Sequence, residues 1–249
     1  MSSNTRAFSC LAGMLTSPGE TFRVISSKPT WVAPIVIAIL VAIVGNAVYY
    51  LRVNPDWEQR VRNRIEQHQV TTGEMMAPEQ VAQQVVTAKM LGNFFILLPA
   101  LSVPLFCFGV AGFYLLGFGL VFLKSPSFKN VLSVVAWSEA VVKTIGVAIV
   151  IIVLMAVDTE RLKDFEPATS RLVQSNVSVL LPKNLSPASI SLASSVDVFT
   201  IWFLVLLTIG FGVGLGSHRI ATWKITTLVF GLWLAWVFIK VGMAFVFGY

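Results

Sequence analysis

The chain has 249 residues, of which 56% are hydrophobic and 12% charged, against about 25% charged in ordinary soluble domains. That balance excludes a soluble globular domain. It also makes the net charge of +6 a matter of orientation against anionic headgroups, not of nucleic-acid binding. Two cysteines, Cys10 and Cys107, are too few for a disulfide framework.

In chain order, residues 1–30 read as N-terminal interfacial helices. Phe8, Leu11, Met14 and Leu15 follow helical spacing, Ser17-Pro18-Gly19 interrupts, and Phe22 and Ile25 resume it. Ser17 is placed to cap and Pro18 fits a first turn, while Arg6, Arg23 and Lys28 supply a polar side. The segment is too broken for a secretory signal, so the first span is expected to be both signal and anchor.

Span one is expected over 31–51, bracketed by Trp31 and by Tyr49 and Tyr50. A polar helical hairpin follows. It starts at Asn54-Pro55-Asp56, breaks at Thr71-Thr72-Gly73 and restarts at Pro78, with Trp57, Val61, Ile65, Val81, Val85 and Val86 on its apolar edge. Span two, over 94–123, is longer than a straight crossing needs and calls for tilt, overhang, or a kink at Pro99 or Pro104. After a basic turn at 124–127, residues 128–135 read as a second interfacial stretch.

Span three is expected over 138–157. Its uncharged run starts only at Thr144, so Glu139 and Lys143 must reach the headgroup boundary or go deeper. A polar loop occupies 158–196 and carries two sequons, at Asn176 and Asn184. Spans four and five are expected over 197–216 and 225–247, joined by a short linker through Ser217, His218 and Arg219. With the N-terminus inside, the inner segments carry Arg6, Arg23, Lys28, Lys124, Lys129, Arg219 and Lys224 against Glu20 alone. The other side carries nine Lys/Arg, more by raw count, but in two long excursions that also hold nine acidic residues. Short turns weigh most, so a cytoplasmic N-terminus and an outside C-terminus are expected.

Glu139, Lys143, Asp197 and Lys240 are the candidate intramembrane polar residues. The first two have helical ion-pair spacing, and Lys240 lies deep in the last span, able to snorkel or to pair with Asp197. Gly210, Gly212, Gly214 and Gly216 form overlapping small-xxx-small spacings, candidates for helix packing. His68 and His218 lie in separate segments, and no nucleophile–base, metal-ligand or phosphate-loop motif is present. No catalytic residue, cofactor site or metal site is therefore expected.

Four stretches carry a resemblance: SPGETFRVISSKPTW at 17–31, APEQVAQQV at 77–85, SFKNVLSVVAWSEAV at 127–141 and SVDVFTIWFLVLLTIGFGVGLG at 195–216. With these the chain resembles the bacterial branch of the Yip family, membrane proteins first named for interacting with Ypt/Rab GTPases. The resemblance implies one Yip-like domain over 1–249, all-α and polytopic, with five spans and a cytoplasmic N-terminus. Eukaryotic members carry a longer N-terminal region, a difference that counts against a Rab-type partner. The expected function is non-enzymatic: organising membrane or partner proteins in a bacterial cytoplasmic membrane. The expected partners are the lipid bilayer and other membrane proteins or further copies of the chain. The alternative is a small transporter or channel component using Glu139, Lys143, Asp197 and Lys240.

Overall fold

A computed structural model describes residues 3–53, 56–72, 75–123, 126–157, 176, 187–215 and 220–247. Among them the regular structure is helical: α1 (Ser3–Thr16), α2 (Pro18–Ser27), α3 (Val32–Val53), α4 (Trp57–Thr72), α5 (Pro78–Phe94), α6 (Pro99–Phe122), α7 (Phe128–Ala156), α8 (Pro187–Ser195), α9 (Val198–Leu215) and α10 (Thr222–Phe247). Four of these, α3, α6, α7 and α10, are long and apolar enough to cross a membrane. The protein is therefore an all-α, polytopic membrane protein. The expected fourth span is α9, whose 18 residues rise about 27 Å, slightly less than the ~30 Å hydrocarbon layer.

The helices divide into two compact units, with α3, α6 and α7 contributing residues to both. In the first unit, which holds 1–40, 103–146 and 174–249, the core gathers Met14, Phe22, Phe118, Trp137, Leu207, Phe211 and Ile225. α2 packs against α9, α8 against α10, and α9 against α10. Ser17 occupies the cap position of α2, but its hydroxyl makes no capping bond. Its carbonyl instead accepts from the Thr21 hydroxyl at 3.0 Å.

The stretch expected to be interfacial, 128–135, is the opening of one continuous helix, α7. Residues 131–138 are buried in succession, on all sides of that helix. Phe128, Val131, Val134 and Val135 permit an amphipathic reading, yet Ala136, Trp137 and Ala140 complete an apolar circumference, which suits a helix enclosed by others. Trp137 Nε1 donates to Thr30 Oγ1 at 3.4 Å, giving the buried indole a partner.

The second unit holds 41–102 and 147–173. Asp56 starts α4 by accepting from the backbone N–H groups of Glu58 at 3.0 Å and Gln59 at 3.1 Å. α4 and α5 form the expected hairpin, with Ile65 and Val85 buried and Val86 exposed. Glu58 bonds Arg62 and Lys89, and these bonds, Arg62 first, hold its carboxyl below the usual range. The excess length of the second apolar block is absorbed by a break. α5 runs to Phe94, a turn occupies 95–98, and α6 begins at Pro99, whose ring cannot continue a preceding helix.

The polar loop expected over 158–196 ends as α8, and Asn176 forms an isolated antiparallel bridge with Asp197. The rest of that loop, with the second sequon, lies outside the described residues, as do Gly216, Ser217, His218 and Arg219.

Candidate functional site

Lys143 Nζ and Glu139 Oε1 lie 3.0 Å apart on one face of α7, with side chains 29% and 13% exposed respectively. A pair so placed is close to neutral, and that lets α7 carry both charges through an apolar helix. Cys107, fully buried on α6, lies within electrostatic reach of both. The neighbouring hydroxyls follow a rule suited to apolar surroundings. Ser133 donates to the Lys129 carbonyl at 2.7 Å and Thr144 to the Ala140 carbonyl at 2.6 Å. Ser138 is the exception: its fully buried Oγ has no hydrogen-bond partner among the described residues.

Asp197 caps α9, its Oδ1 accepting from the N–H groups of Phe199 at 2.9 Å and Thr200 at 3.1 Å. Lys240 on α10 is half-buried and donates to Ser194 Oγ on α8 at 3.5 Å. Among the described residues, no hydrogen bond or ion pair joins the Glu139–Lys143 pair to Lys240. The sequence placed four charges in the spans; the structure distributes them over separate contacts.

The glycines divide as well. A methyl group on Gly210 would lie 2.5 Å from Val134 Cγ1 and 2.9 Å from Phe22 Cε1, and one on Gly214 3.3 Å from Ser26 Oγ. One on Gly212 would meet nothing within 4 Å. Gly210 and Gly214 thus face α2, whose Phe22 and Ile25 are buried against the core, so this small-residue face receives an N-terminal helix of the same chain. Four further close approaches among the described residues lacked any sequence pattern, one of them a methyl on Gly13 against the Thr21 hydroxyl. A methyl on Gly117 would lie 2.5 Å from Leu232 Cδ1, one on Gly45 2.8 Å from Val147 Cγ1, and one on Gly92 2.6 Å from Trp57 Nε1.

Sequence reasoning also missed a row of polar side chains on α3. Asn46 Nδ2 donates to the Phe95 carbonyl at 3.1 Å, and the Tyr50 hydroxyl to the Gly92 carbonyl. Arg52 Nε donates to the Leu154 carbonyl at 3.3 Å, near the C-terminus of α7. Each serves a backbone carbonyl at a helix end or break, where intrahelical partners run out. The signal was available in the spacing of Asn46 and Tyr50, four apart and so on one helical face.

α1 is apolar on two faces. Cys10 and Met14 are buried against the core, while Phe8 and Leu15 are 75% and 51% exposed. The outer pair is separated by seven residues, two helical turns, and so lies on one stripe.

No curated protein and no solved structure matches the chain. The Yip1 domain family model matches residues 12–244, and the segment it spans includes α2, the α4–α5 hairpin, the Glu139–Lys143 pair and the glycine face of α9. The chain belongs to the Yip1 domain family.

Proposed function

We propose that the protein is a non-enzymatic membrane organiser. It lies in a bacterial cytoplasmic membrane with its N-terminus cytoplasmic, and presents α1 to lipid or to a neighbouring membrane protein. The observation that carries this reading is the outward stripe of Phe8 and Leu15 on a helix whose other face is anchored in the core. An apolar stripe held in place has already met its ordering cost, and the basic residues Arg23 and Lys28 are exposed on the following helix and loop.

Removing residues 1–28 is a poor test, because Phe22 and Ile25 would leave the core. A photo-crosslinking residue at Phe8 is better. It is expected to form adducts with lipid or a second protein, while the same residue at Met14 reacts within the chain. Equal yields of external adduct from both positions would sink the proposal.

The transporter or channel reading draws on the unpartnered Ser138 hydroxyl beside the Glu139–Lys143 pair. It predicts that Glu139→Gln abolishes a flux measured in proteoliposomes. Organisation of the membrane predicts that no such flux exists.

A further inference from the structure

Among the described residues no ion pair reaches Lys240. Its single hydrogen bond there goes to a neutral hydroxyl, at 3.5 Å, the long end of the range. An ammonium has three donors, so two remain for another acceptor.

The hydroxyl that meets it is able to change partner. Ser194 Oγ donates to the Ser191 carbonyl at 3.0 Å, and Ser195 Oγ donates to that same carbonyl at 2.7 Å. Ser194 can therefore turn its proton toward an oxyanion while the Ser191 carbonyl keeps a donor. A lysine and a serine hydroxyl converging at one point are suited to a phosphate oxygen.

Position along α10 says where such a phosphate would come from. Lys224 stands beside the exposed Trp223 ring, 5.6 Å from its centroid, near the start of the helix. Lys240 follows the exposed Trp236 by one turn. The two lysines are about 24 Å apart along the axis, and the reach of a snorkelling lysine side chain closes the gap to a ~30 Å hydrocarbon layer. Trp and Lys together at both ends mark the two headgroup levels. Around Lys240, the exposed side chains Trp236, Met243 and Ile190 offer apolar surface for an acyl chain.

We propose that Lys240 and Ser194 bind the phosphate of an anionic lipid headgroup where α8 packs against α10. The test uses the full-length protein in nanodiscs of mixed phosphatidylglycerol and phosphatidylcholine, with retained lipid read by native mass spectrometry. The wild type and Lys240→Arg retain phosphatidylglycerol preferentially. Lys240→Gln lowers that preference about fivefold, the worth of one lysine at an anionic surface. Ser194→Ala lowers it by a smaller factor.

Lys129→Gln, removing an exposed charge at the start of α7, leaves the preference unchanged. Equal retention by the wild type, Lys240→Gln and Ser194→Ala overturns the proposal. Release of the lipid by millimolar inorganic phosphate would assign the site to a free anion and overturn the lipid assignment. Should Lys240→Gln fail to fold, Ser194→Ala and Lys240→Arg carry the comparison alone.

Discussion

Two glycines of α9 that differ by two positions in sequence differ completely in surroundings. Gly210→Ala places a methyl group against Val134 and Phe22, and is expected to destabilise the protein by about 1–3 kcal/mol through overpacking. Gly212→Ala meets open space and is expected to gain up to about 1 kcal/mol of helix propensity. Thermal unfolding in detergent checks both, and Val134→Ala should restore part of the loss at Gly210. Equal behaviour of the two alanine variants would mean that α2 does not seat on this face.

The alternation of glycines was plain in the sequence, but its meaning was not. Residues two apart on a helix point to nearly opposite sides, so the run contains two faces, and only tertiary contact distinguishes them. Gly45, Gly92 and Gly117 were invisible for a related reason. An isolated glycine has no period, and its neighbour across the gap is remote in sequence.

Between residues and elements stands the break at 95–98. Residues 94–98 are Phe, Phe, Ile, Leu and Leu, so hydropathy runs smoothly across a point where the helix stops. Pro99 was the available clue. The spacing of Asn46 and Tyr50 put them on one face of α3, but nothing in the sequence named the carbonyls of Gly92 and Phe95 as their partners.

Loss of either donor removes a tie from α3 to the break and leaves its carbonyl with a single backbone donor, Phe95 N–H at Gly92 and Leu98 N–H at Phe95. Asn46→Leu and Tyr50→Phe are each expected to lower stability by about 0.5–1.5 kcal/mol, the net worth of one hydrogen bond. Hydrogen exchange should rise first at 92–98 and leave 131–141 protected. A uniform rise along the chain would show that the two side chains do not hold this break in particular.

α7 gives the converse lesson. Counting only its uncharged run made the third span look too short. The helix nonetheless continues through Glu139 and Lys143, because the two charges meet each other. Hydropathy windows penalise charges singly, while a helix carries an i,i+4 pair as one nearly neutral unit.

At the scale of the whole molecule the number of crossings decides which side each terminus occupies. The family and the helical, apolar architecture were legible in the sequence because they rest on long uniform stretches. The count of five rests on α9, the shortest of the apolar helices that could cross. Its 18 residues reach nearly across the hydrocarbon layer, and Asp197 fixes its start at a polar cap.

If α9 crosses together with α3, α6, α7 and α10, the termini lie on opposite sides; if it does not, they lie on the same side. The basic turn at 124–127 and the Arg219-containing linker then both face the cytoplasm only in the five-crossing arrangement with the N-terminus inside. Single cysteines placed at Ser3 and at Tyr249, in a background lacking Cys10 and Cys107, are expected to differ in labelling by a membrane-impermeant maleimide on intact cells. The C-terminal cysteine should react and the N-terminal one should react only after permeabilisation. Labelling of both, or of neither, before permeabilisation would reduce the crossings to an even number and remove α9 from the set of spans.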